Sequence, residues 1–234
     1  MRNAAVVVAV FALVGVTTRA ALGDNDQTEH LNRTVSLDPG GTLRLKSFSG
    51  RVTITASDRS EVVVHATRRG DRERLHRITL DVHKNGDTVV VDANHREPSS
   101  WFNRRHNVVE TDFDITVPRR TNIDIDVFSA PVSVTGVEGV YKVHTFSSRV
   151  RLNEVGWQAR QTIDVSTFSG DVEVQLPASA TGNVSFRSFS GRLTSDLPLT
   201  LHSSRRRSVT AELGSGGDGH VRVKTFSGSA RIRR

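Results

Sequence analysis

At 234 residues the chain can bury a core without covalent staples, and it contains no cysteine, which excludes disulfides, thiolate metal sites and a lipidated cysteine anchor. Its formal net charge of +7 is modest. It permits weak contact with anionic surfaces, and signs alternate along the chain in a way that argues against a nucleic-acid partner.

The first 23 residues read as a secretory signal peptide. Arg2 supplies a positive start, residues 4–16 are an apolar run, and two small-residue cleavage patterns come after it, Thr18/Ala20 and Ala21/Gly23. The run is short for a membrane span. An uncleaved N-terminal anchor is the alternative, and Arg19 within the cleavage region is unusual. Removing residues 1–23 takes Arg2 and Arg19 and lowers the net charge to +5.

Residues 24–120 predict an irregular β region that caps the repeats of residues 121–234, in one continuous domain with them. Strand candidates lie at 62–65, 78–82, 88–91 and 113–117, with one weak helix candidate at 72–78. A loop at 94–107 sets Trp101 and Phe102 among Arg96, Arg104, Arg105 and His106.

From Phe48 onward a motif recurs. Phe-Ser-small occurs at Phe48, Phe128, Phe146, Phe168, Phe189 and Phe226, with Gly50, Ala130, Ser148, Gly170, Gly191 and Gly228 in third place. Five and three residues before each Phe the chain is apolar, as in Leu43/Leu45, Ile123/Ile125 and Ile163/Val165. Four and six residues after, it is apolar again, as in Val52/Ile54, Val132/Val134 and Val172/Val174; Ser195 alone breaks the rule. Strict alternation means strands with one buried face. The buried offsets are odd before the Phe and even after it, so the strand must bend between them. This pattern points the Phe into the core at a corner, with the small residue allowing the bend and the Ser hydroxyl bonding a backbone group.

Spacings of 18, 22 and 21 residues from Phe128 to Phe189 suit one coil of short strands. The expectation is an all-β chain, a β-solenoid of single-stranded β-helix type, with coils of about twenty residues and Phe-Ser-Gly corners. Asp124, Lys142 and Asp164 would then form an outer column of alternating sign.

The pattern resembles a bacterial family of β-strand-repeat domains of unknown function, described as putative adhesins. The matching stretches are Val165-Ser166-Thr167-Phe168-Ser169-Gly170-Asp171-Val172, Val223-Lys224-Thr225-Phe226-Ser227-Gly228, and the Pro-ended strand Ile115-Thr116-Val117-Pro118. The resemblance spans roughly residues 35–234, with Ala130-Pro131 and Ser148 departing from the usual glycine. It implies an exported cell-envelope protein, periplasmic, surface-bound or secreted, and supplies no catalytic residues.

Chemistry-bearing motifs are sparse. Asp171 and Glu173 share an outer face, as in acidic-polysaccharide lyases of β-helix fold, but interleaved basic residues make that face read as solvated. A serine repeated in six coils is structural. The histidines lack zinc-motif spacing, and the stretch from Gly216 to Val221 is only faintly similar to a calcium-binding nonapeptide. No catalytic residue, metal ligand or cofactor site is predicted. The candidate binding loops are Trp101, Phe102, Arg104 and Arg105, and the run Arg205, Arg206 and Arg207. The expected role is a non-enzymatic adhesin, or an envelope binding or scaffold module, engaging an envelope protein or polysaccharide. A carbohydrate-active β-helix enzyme and a self-assembling structural module are the alternatives.

Overall fold

The computed structural model describes residues 26–96 and 108–234. The expected signal segment lies outside them, as do Trp101, Phe102, Arg104 and Arg105. Strands in the first half are β1 (Asp26–Ser36), β2 (Thr42–Ser49), β3 (Val52–Ser57), β4 (Glu61–Asp71), β5 (Ile78–Asn85), β6 (Thr88–Arg96) and β7 (Glu110–Pro118). A short helix, α1 (Arg72–Arg77), joins β4 to β5. Next come β8 (Asn122–Ser129), β9 (Val132–Thr135), β10 (Tyr141–Ser147), β11 (Val150–Asn153), β12 (Thr162–Ser169) and β13 (Val172–Gln175). The last third comprises β14 (Gly182–Ser188), β15 (Leu193–Ser195), β16 (Leu199–Arg205), β17 (Ser208–Leu213), β18 (His220–Ser227) and β19 (Ala230–Arg233). All four strand candidates of the N-terminal half fall inside these strands, and α1 covers the helix candidate except for Ile78, which opens β5.

The strands make two sheets. One has nine strands in the order β1-β4-β7-β3-β9-β11-β13-β19-β15, the other ten in the order β16-β17-β14-β18-β12-β10-β8-β2-β6-β5. Each Phe-Ser-small triplet stands where the chain leaves the ten-stranded sheet for the nine-stranded one: β2 to β3, β8 to β9, β10 to β11, β12 to β13, β14 to β15 and β18 to β19. Pairing between these layers is parallel and in register. Ile123, Tyr141, Ile163, Val221 and Val184 form one inward column, and Val132, Val150, Val172 and Ala230 another. Both columns belong to one hydrophobic cluster, continuous from Leu37 to Ile232. Layer order departs from chain order at both ends: β18 and β19 insert between the β12–β13 and β14–β15 layers, and β6 and β7 pair in parallel on the outer side of β2 and β3, which precede them in the chain.

The bend at each corner is present, but the Phe side chains do not enter the core. All six are 40–51% exposed. The inward parity of the strand ends one residue earlier, on Ser47, Val127, Thr145, Thr167, Ser188 and Thr225, which are buried. The Phe therefore takes the outward place that alternation assigns it, and the parity changes in the residues after it. The small third residue has a second cause besides the bend. A Cβ on Gly170 would lie 1.9 Å from the Ser148 carbonyl oxygen, and one on Gly228 would lie 2.1 Å from that of Gly170. Each of these corners thus presses against the backbone of the layer beside it. Ala130 and Ser148, which replace glycine, are buried.

The N-terminal end closes differently. β1 and β4 pair antiparallel, as do β4 and β7, while β5 and β6 form an antiparallel pair at the edge of the other sheet. The inward column of β4 runs Val62, Val64, Ala66 and then Arg68, which is 2% exposed. Arg68 Nη1 donates to Glu29 at 2.6 Å and Nη2 donates to the Ile78 carbonyl. Burial pulls the Arg68 pKa below its ordinary value and Glu29 partly offsets this. Asp71 caps α1 by accepting from the Arg74 amide at 2.8 Å.

Candidate functional site

Because the layers repeat at strand spacing, identical outward residues must stack on one another. The six Phe rings do so. In the order Phe48, Phe128, Phe146, Phe168, Phe226, Phe189, their centroids are 4.7–4.9 Å apart and their planes lie within 1–13° of parallel. Five such steps make an apolar ladder about 24 Å long. Each interior ring covers the faces of its neighbours, so the edges are what the ladder shows to solvent. Stacked aromatic pairs contribute about 0.5–1.5 kcal/mol each beyond area burial, which offsets part of the cost of exposure.

Two residues before each Phe, on the same outer face, stands a polar column: Lys46, Asp126, His144, Ser166, Lys224 and Arg187, in register from strand to strand. Residues two apart on a strand are about 7 Å apart. The space between phenyl wall and polar wall is an open groove of about 980 Å³, floored by the backbone of the intervening residues.

The polar wall is uneven. At the β2 end Lys46 sits between Asp92 and Asp126 in register. At the β14 end Lys224 and Arg187 are neighbours, and Arg207 places its guanidinium 4.0 Å from the Phe189 ring centroid. None of these three cations is in an ion pair among the described residues. Residues 187–234 hold ten Lys and Arg against three Asp and Glu, so the whole +7 resides there and residues 1–186 are neutral.

The column next to this one is self-neutralised, as the sequence predicts. Arg44 and Asp124 pair at 2.9 Å and Arg222 and Asp164 at 3.3 Å, with Lys142 between the two carboxylates in register. Of the candidate loop residues, Arg205, Arg206 and Arg207 lie at the β16–β17 hairpin, and the hairpin brings Arg207 to the end of the ladder. Trp101, Phe102, Arg104 and Arg105 are outside the described residues. The ladder escapes a reading of the sequence because a stacked outer Phe and a buried one give the same repeat. The available signal is the residue before each Phe, which continues the buried parity in small or hydroxyl-bearing form.

The carboxylates of the enzyme alternative serve structural contacts away from the groove, Asp171 in the corner between β12 and β13 and Glu173 on β13 of the other sheet. Asp171 accepts from the Ser229 amide at 2.9 Å, and Glu173 pairs with Arg233 at 2.5 Å. Asp218 in the glycine-rich turn faces Arg160 at 3.5 Å. Among the described residues no group of three His, Asp or Glu stands where it could hold a metal ion. Tyr141 is fully buried, its hydroxyl donates to the Val137 carbonyl, and burial pushes its pKa up.

Residues 107–233 match the profile of the family Toastrack DUF4097. A crystal structure of a putative cell adhesion protein from Clostridium sporogenes has a TM-score of 0.62 at 11% identity, covering 88% of this chain and 99% of that one. At that identity the likeness is one of fold. A putative adhesin from Bacteroides fragilis (9% identity, 87% of this chain and 97% of that one) has a TM-score of 0.30. One from Parabacteroides merdae (6% identity, 87% and 95%) has 0.24. No curated protein matches the chain.

Proposed function

The chain belongs to the Toastrack DUF4097 family, a domain family of unknown function, and on that premise we propose that it is an exported, non-enzymatic binding module of adhesin type, whose phenyl-walled groove is the docking face. The observation that carries this is the ladder itself. Six large apolar side chains held at 40–51% exposure in one continuous strip are what an interaction surface requires and a solvated face avoids. The adhesin descriptions of the structural neighbours agree with this role. In this reading the parallel layers are a β-solenoid, residues 24–120 cap it, residues 1–23 direct export, and the β16–β17 arginines extend the docking face.

Two measurements test the proposal. Mass spectrometry of the exported product is expected to find residues 1–23 removed; a product retaining them in the membrane would replace the signal peptide with an anchor. Phe146→Ser, in the middle of the ladder, is expected to reduce retention on cell-envelope fractions at least tenfold while the protein stays folded. Unchanged retention would move the docking face elsewhere.

A further inference from the structure

We infer that the groove takes a single-chain amphiphile with an anionic head, such as a free long-chain fatty acid. The acyl chain lies along the phenyl ladder and the head sits at the Arg187, Lys224 and Arg207 end. This rests on the groove being the docking face and names its occupant.

Ring geometry narrows the chemistry first. Sugars and bases stack on aromatic faces, and here neighbouring rings cover those faces at 4.7–4.9 Å. The outer face of Phe189 is covered by Arg207. Apart from the outer face of Phe48, what remains is a strip of ring edges, suited to aliphatic contact. The floor narrows it further. The strand backbones beneath the groove are engaged in their sheet ladders, so they offer a peptide's amides none of the hydrogen bonds by which an added strand is held. An acyl chain has no such groups to satisfy.

Length and charge supply the rest. Half of a bilayer's hydrocarbon thickness is about 15 Å, so a ladder of about 24 Å accommodates one full acyl chain with room for its head. The cations that could meet that head gather at one end, without ion pairs among the described residues, in the segment that carries the molecule's entire net charge. At the other end Asp92 and Asp126 flank Lys46 and would repel an anion. The groove therefore has a polarity, head toward β14 and tail toward β2.

Calorimetric titration of the mature protein with palmitate, below its aggregation concentration, tests this. The expected result is saturable binding of one palmitate. Octanoate, too short to cover the ladder, and hexadecanol, which lacks the charge, should each bind at least tenfold more weakly. Arg187→Gln with Arg207→Gln should weaken palmitate about tenfold and leave hexadecanol unchanged. Phe146→Ser should weaken both ligands, with Phe168→Ser substituting if the first variant does not fold. Failure of palmitate to saturate, affinity indifferent to the arginine pair, or binding only to anionic vesicles would each overturn the inference. A palmitate failure combined with ladder-dependent retention on envelope fractions would sink the ligand and keep the docking face. Loss of both would sink the two together.

Discussion

In the parallel layers an inward column repeats one kind of residue from strand to strand, as in Ile123, Tyr141, Ile163, Val221 and Val184. At the N-terminal edge the inward column of β4 instead reaches Arg68, held by Glu29 and the Ile78 carbonyl. The two regions meet the same requirement, a covered apolar interior, by different means. A layer in the stack is covered by a near copy of itself, so any residue that packs well on its own kind can be used at every level. An end has no copy beside it. It must be closed by antiparallel strands and specific polar contacts, and each contact is used once. The same self-stacking operates outside: Phe rings and corner glycines recur because each meets its equivalent about 4.8 Å away.

Breaking one corner tests how tightly the layers are pressed together. Gly228→Ala would drive a Cβ into the Gly170 carbonyl, and a loss of about 3 kcal/mol is expected by denaturant unfolding. A loss near zero would mean that the layers slide apart freely. At the irregular end, Glu29→Gln leaves the Arg68 guanidinium buried without a charged partner. Because Glu29 is itself about one-third exposed, the expected cost is about 2 kcal/mol, below that of a wholly buried pair. An unchanged midpoint would show that water reaches Arg68. The smallest effect belongs to the ladder. Phe168→Ala removes two stacking contacts from a side chain already 47% exposed, and about 1–2 kcal/mol is expected. A loss of the size of a core aromatic, about 3–5 kcal/mol, would return the ring to the interior.

Much of this architecture is legible in the chain. The alternation around each Phe gives the strands, and the parity change gives the bend that carries the chain from sheet to sheet. The equal spacing places Asp124, Lys142 and Asp164 in one column. These are local or translational properties, and a repeat displays them because each copy restates the same short-range constraints. The orientation of the Phe is not legible in the same way. Apolar residues are expected inside, and nothing within one repeat reveals that the next repeat will supply a second ring to lie against it.

An all-β chain of repeating layers with aromatic corners was thus written into the sequence, since periodicity and turn chemistry act over a few residues. Three features came only with the folded molecule: the last layer inserts before its predecessor, Arg68 is buried against Glu29, and six phenyl rings and the Arg187–Lys224–Arg207 cluster form one polarised groove. Those outcomes depend on residues tens of positions apart meeting at a shared surface, and only the packing of layer on layer brings them together.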